Sequence, residues 1–183
     1  MTEPGAGLDP ELDPAIEIVR VDYGHPDAML LIAEVQAEYV VRYGGPDRTP
    51  LDPLMFLPPS GSFYVGYLPL DGGTEGEPRP VASGAWRAHD DVEAFGTRRT
   101  AEVKRMYVAP SVRGRGLARV MLAHLERTAA AAGAEVMILE TGTAQPEAMA
   151  LYESSGYTRI PSFGYYKDEP LNRCYGKVLT TPT

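Results

Sequence analysis

Cysteine is almost missing from this chain: Cys174 is the one example in 183 residues, which excludes an internal disulfide and any CxxC-type metal site. The three histidines, His25, His89 and His124, stand far apart with no metal-like spacing, so no metal is expected. No apolar run approaches the ~18 residues of a membrane span, and the N-terminus lacks the basic-then-apolar pattern of a secretory signal. No membrane partner is therefore expected, and a cytoplasmic location is the default. Cations are outnumbered as well, 17 Lys and Arg against 25 Asp and Glu for a net charge of −8, which argues against nucleic-acid binding. Neither a Walker A loop (GxxxxGK[ST]) nor a dinucleotide loop (GxGxxG) occurs.

What remains is a globular composition, 44% hydrophobic and 23% charged, of a length that suits one domain with a real core. Residues 1–14, rich in Pro, Gly and acid, read as a disordered tail, and 15–183 as a single domain. Strand-like alternation marks 15–22. Residues 25–45 read as a helix, with Pro26 in its first turn, Leu31, Ile32, Val35 and Tyr39 at helical spacing, and Gly44 as its stop. The proline-rich segment 44–61 leaves room for no more than a short helical turn. Strands follow at 62–70 and 80–89 across a turn-rich connection, 71–79, and another at 100–108. A helix from about Leu117 to Ala132 ends at Gly133, a nearly all-apolar strand covers 135–142, and a helix covers 145–157. "YTRIP" and "NRCYGKVL" supply two last strands. The order βα, three strands, α, β, α, ββ predicts an α/β (α+β) fold, a mixed sheet with helices on its faces.

The scarce cations are not evenly spread. Arg98, Arg99, Lys104, Arg105, Arg113, Arg115 and Arg119 face one acidic residue, Glu102, over 98–119. Such a segment in an acidic protein suits a small anionic ligand or a solvated basic face. Within it, "VRGRGLA" joins a strand to a helix. Helix N-terminal amides carry partial positive charge, and glycine lets a phosphate reach them.

Arg113-Gly114-Arg115-Gly116-Leu117-Ala118 resembles the [Q/R]-x-x-G-x-[G/A] acetyl-CoA signature of the GNAT acetyltransferase superfamily. "AEVKRMYV" is similar to that family's central strand, "LETG" to its fifth strand, and "QPEAMALYESSGY" to its final N-x-x-A-x-x-L-Y-E helix. The resemblance covers about residues 15–180. The departures are Gln145, where Asn is usual, and Ala118, where Gly is common. The resemblance implies a mixed, mostly antiparallel central sheet of about six to seven strands flanked by helices. It also implies acetyl-CoA as cofactor, with its pyrophosphate on the amides of Arg113–Ala118 and a contact from Gln145. Its pantetheine arm would lie along Met106, Tyr107 and Val108. A homodimer is admitted by the same resemblance.

Acetyl transfer from a thioester to an amine needs a proton removed from an ammonium of pKa about 8–10 and one supplied to the leaving thiolate. Glu102 is the expected base, placed by strand alternation on the same face as Met106 and about 13 Å from it; its alternative reading is an ion pair with Lys104 or Arg99. Tyr152 is the expected acid, since it resembles the family tyrosine that points at the cofactor sulfur. Arg42, Tyr43, Trp86, Phe163, Tyr165 and Tyr166 are candidates for the mouth of the acceptor site, each with an ordinary packing alternative. The expected reaction is transfer to a primary amine of a small molecule, an amino acid or a drug-like amine. The rivals are acetylation of a protein N-terminus or lysine, and an acyl-CoA sensor without turnover.

Overall fold

Strand β1 (Glu17–Val21) leads into helix α1 (Pro26–Tyr43). The helix starts where the His25 side chain accepts the Asp27 amide at 3.2 Å and Pro26, with no amide to lose, takes the first turn. It stops at Gly44, whose left-handed φ of 78° lets its amide return to the Val40 carbonyl. The proline-rich segment that follows forms one 3-10 turn, Pro53–Phe56. Next come β2 (Gly61–Leu68), β3 (Arg79–Ala88), β4 (Thr100–Val108), α2 (Leu117–Ala131), β5 (Val136–Gly142), α3 (Pro146–Ser154), β6 (Thr158–Arg159) and β7 (Asn172–Val178). This computed structural model describes residues 16–69 and 78–180. The expected tail 1–14 and most of the connection 71–79 lie outside the described residues.

The strands form one sheet in the order β1-β2-β3-β4-β5-β7-β6. Only β4 and β5 run parallel among these neighbours, and α2 is the crossover that a parallel pair requires. The mixed, mostly antiparallel sheet with helices on its faces is the architecture expected from the sequence. Helix α1 covers one face, packing Ala28, Leu31, Ile32 and Val35 on Phe63, Val65 and Ala85. Helices α2 and α3 cover the other, where Leu117, Met121, Leu122 and Leu125 meet Trp86, Ala101 and Val103. A third cluster, Val136, Ile138, Cys174, Ala94 and Phe163, lies beneath β5 and β7.

One irregularity changes what the sequence implied. Between β3 and β4 the pairing steps from Ser83–Tyr107 to Ala85–Lys104, so two residues advance on β3 against three on β4. Arg105 sits in this bulge with a left-handed φ of 52°. An extra residue reverses the side-chain alternation beyond it. Glu102 and Lys104 thus share a face with Tyr107, toward α1. Met106 and Val108 point the other way, against the α2 cluster. The expected common face of Glu102 and Met106 does not exist, because strict alternation fails at Arg105.

Candidate active site

The site arises where two parallel strands part. Pairing between β4 and β5 covers only Thr100–Glu102 against Val136–Ile138. Beyond that point β4 stays bound to β3, and β5 stays bound to β7 as far as Gly142. Each strand is therefore held by its outer neighbour while the inner edges diverge. A cavity of about 490 Å³ fills the wedge, lined by Val103–Met106 of β4 and Leu139–Gly142 of β5, with Tyr152 of α3 among its walls. Unpaired backbone edges of this kind accept an extended ligand as a further strand.

The residues after α1 roof this cavity, and charges fasten them. Asp47 pairs with Arg105, buried in the bulge, and accepts hydrogen bonds from the Thr49 amide and hydroxyl and from Tyr166. The Tyr166 hydroxyl in turn accepts the Arg48 amide at 2.7 Å. At the other end, Tyr43 donates to Gln145 at 3.2 Å, and Arg42 joins Glu38, Glu147 and the Ala144 carbonyl. The end of α1 is thereby stapled to the start of α3.

Two carboxylates lie on the α1 side of the wedge in very different surroundings. Glu102 is 1% exposed, with Arg87 at 2.7 Å, Lys104 at 2.8 Å and His89 at 3.1 Å. Burial alone would raise its pKa. The hydrogen bond with His89 and the charges of Lys104 and Arg87 prevail and hold it at about 2. Glu140, on β5, has one hydrogen-bond donor among the described residues, Asn172 at 3.4 Å. Burial drives its pKa up to about 7; Lys104 opposes that, while the negative Glu102 and Asp47 add to it. Lys104 bonds to Glu102, so its charge compensates Glu140 only from a distance.

Tyr152 is buried in the α2–α3 core, its ring 5.8 Å from Tyr157 and 6.3 Å from Tyr175. Its hydroxyl bonds to no side chain or backbone group among the described residues. Burial raises its pKa well above the usual phenol value, so it stays protonated at neutral pH. Beyond the end of β4, the turn Pro110–Val112 leads to the glycine-arginine loop. Gly114 and Gly116 both adopt left-handed φ, 79° and 76°. The amides of Gly114, Gly116, Leu117 and Ala118 donate to no carbonyl or side chain among the described residues, which leaves them for an anion. The first turn of α2 and the unpaired strand edges thus fit the phosphates and the extended arm of a coenzyme A thioester.

Met106, Gln145, Tyr43, Glu102 and Tyr152 all line the one cavity. Other candidates stand elsewhere. Trp86 faces α2, is 4% exposed and donates to the Thr128 hydroxyl at 3.0 Å. Phe163 belongs to the third cluster, against the His89 ring. Tyr165 is exposed, and its neighbour Tyr166 reaches the cavity instead. Arg42 is committed to the α1–α3 staple. The Tyr107 ring lies beneath the Arg113 guanidinium, which is itself spent on Glu38 and the Val108 carbonyl. Arg113 therefore braces the loop against α1, and the Leu117 side chain is core. Asp47 and Glu140 were missed, whereas Tyr166, a candidate from the sequence, does line the cavity. Glu140 alone left a trace in the sequence, as the one acid between Val136 and Gly142.

Comparison with known proteins agrees with this geometry. The Acetyltransferase (GNAT) family profile matches residues 31–157, and the chain belongs to that family of acyltransferases, which use acyl-CoA. An Azospirillum brasilense protein named IAA acetyltransferase is 42% identical over 78 residues, 43% of this chain and 51% of its own. The chain thus spans about half the length of that curated relative. A structure described as an acyl-CoA N-acyltransferase from Klebsiella pneumoniae superposes with a TM-score of 0.69 at 25% identity, covering 90% of this chain and 98% of the other. A GNAT-family acetyltransferase from Staphylococcus aureus shares the fold, with a TM-score of 0.65 at 16% identity over 91% of this chain and all of its own.

Proposed function

We propose that this protein is an acetyl-CoA-dependent N-acetyltransferase acting on the primary amine of a small molecule, an amino acid or a drug-like amine, within a ternary complex. The observation that carries this reading is the wedge between β4 and β5, roofed by residues 44–49 and Tyr166. A cavity of about 490 Å³ under a fastened roof suits a metabolite-sized acceptor better than a long peptide. When bound, acetyl-CoA supplies the thioester carbonyl and the thiol leaving group. The amides of Gly114–Ala118 hold its phosphates, and the free edge at Met106 orients its arm. Tyr152 holds a proton at its hydroxyl for the departing sulfur. Gln145 stands at the start of α3 with its amide nitrogen available, its oxygen being bonded by Tyr43. A cytoplasmic catalytic domain covering 15–183 and working alone or as a homodimer agrees with this reading.

Free thiol released from acetyl-CoA, measured against a panel of amino acids, polyamines, aminoglycosides and short peptides, tests it. Saturable turnover with one class of small amine is the expected result. Turnover with peptides alone would replace the acceptor class. Calorimetric acetyl-CoA binding without any turnover would favour an acyl-CoA sensor.

A further inference from the structure

Transfer to an ammonium needs a group that takes its proton, and Glu102, the base expected from the sequence, is poorly made for that task. Three cation-forming side chains surround its carboxylate at 2.7–3.1 Å, and it is 1% exposed. A carboxylate so compensated holds protons weakly. The sheet offers a second carboxylate on the same face. The pairing Glu102–Ile138 puts Glu140, two residues on, on the Glu102 side of the sheet. There the strands have already separated, so Glu140 lines the open wedge that Tyr152 also lines.

We infer that Glu140 is the general base of the reaction and the binding partner of the incoming ammonium. This rests on the acetyltransferase reading above. Several packed elements bring titratable groups toward Glu140. From β4 come Glu102 and Lys104, the lysine tied to Glu102 at 2.8 Å. From the roof comes Asp47, tied to Arg105, Thr49 and Tyr166. From β7 come Asn172, at 3.4 Å, and Cys174, its cross-strand partner, whose buried thiol is pushed up and stays protonated. Gly164 packs against it so closely that a Cβ there would meet the carboxyl at 2.6–2.7 Å. No cation among these is committed to Glu140, and most of its acceptor capacity is open. An ammonium is the ligand that such a group lacks. Environments that push two neighbouring carboxylates apart, to about 2 and about 7, divide their labour: Glu102 anchors the strands and Glu140 exchanges protons near neutral pH.

The ammonium gives one proton to the Glu140 carboxylate, and the freed lone pair forms the C–N bond to the acetyl carbon. The C–S bond breaks as the amide forms, and the sulfur receives the Tyr152 proton. The second nitrogen proton restores Tyr152, and Glu140 releases its own to solvent. Nothing is oxidised or reduced.

The test compares unmodified enzyme with Glu140→Gln, using the amine that the panel finds best and an O-alkyl hydroxylamine, whose nitrogen is unprotonated at neutral pH. Glu140→Gln should lower kcat/KM for the ordinary amine by roughly 10²–10⁴-fold and abolish the acidic limb of its pH profile. The hydroxylamine should react nearly as fast with the variant as with unmodified enzyme. Carbon NMR of glutamate labelled at Cδ, with no substrate present, should show one carboxyl titrating near neutral pH that disappears in the variant. Equal loss for both nucleophiles with cofactor binding intact would make Glu140 a structural residue and overturn the inference. So would retention of the acidic limb, or of the titrating signal. No amine turnover by the unmodified enzyme would instead sink the acetyltransferase reading itself.

Discussion

The β4–β5 pair is two structures joined end to end. Its first half, Thr100–Glu102 on Val136–Ile138, is hydrogen-bonded, buried and charge-neutralised around Glu102. Its second half, from Val103 and Leu139 onward, has no mutual hydrogen bonds and encloses the cavity. In the open half β4 carries the bulge at Arg105 and stays paired with β3, while β7 keeps hold of β5. A sheet interior is where backbone groups are fully satisfied. A site for an extended ligand therefore has to be made by withholding part of a ladder. The closed half makes the open half possible, since it sets the angle at which the strands part.

The most damaging way to break the comparison is to attack the closed half. Glu102→Gln leaves Arg87 and Lys104 without their buried counter-charge, and loss of one member of such a group costs roughly 3–5 kcal/mol. The sign with pH follows from its depressed pKa. The stabilisation is present above the usual carboxylate value of 4.5 and is lost as pH falls toward about 2. Thermal denaturation should therefore show a large gap between unmodified protein and variant at pH 7 that closes in acid. Equal stability at pH 7 would mean that the cluster is not what holds the strands together.

Tyr152→Phe probes the open half. The ring contacts with Tyr157 and Tyr175 survive, and the hydroxyl has no partner to lose among the described residues. Stability and acetyl-CoA affinity should stay level while kcat falls by roughly 10²–10⁴-fold. An unchanged kcat would remove Tyr152 from the chemistry. Gly114→Ala acts on the loop beyond the wedge. A Cβ there would meet nothing within 4 Å, so its cost is the left-handed φ of 79°, about 1–2 kcal/mol. Part of that should appear as a several-fold rise in the Kd for coenzyme A. Calorimetry would show whether the loop relaxes and spares binding.

Periodicity and stop signals made the closed half readable. The helical spacing of Leu31, Ile32 and Val35, the apolar run of β5 and the glycines after α1 and α2 report burial directly, and burial decides those elements. The glycine-arginine loop was readable as a turn into a helix because its glycines take the left-handed φ that such a turn needs. The open half was not. Its geometry depends on one extra residue at Arg105, and nothing in "VKRMY" marks a bulge, because the cause is the pairing with β3. Trp86 looked like an acceptor contact and is a core residue bonded to Thr128. Aromatic character alone does not say which sheet face a residue takes. The choice between Glu102 and Glu140 needed the partners of each, contributed by β3, β7 and the roof loop.

The smallest predicted effect is the sharpest test of the contrast, because it reverses sign between the two carboxylates. Glu140 has a raised pKa in the folded protein, so its contribution to stability is greatest below 4.5 and is lost as pH rises through about 7. Glu140→Gln removes that penalty. The variant should melt higher than unmodified protein at pH 8, by roughly 2–4 °C for each kcal/mol recovered in a chain of this size. The advantage should fade as pH falls toward 4.5, whereas Glu102→Gln melts lower at every pH down to that value. A residue that weakens the fold while ionised and speeds a reaction has been kept for the reaction. Matching pH profiles for the two variants would mean that both acids merely anchor the sheet, and that the opening between the strands carries no base of its own.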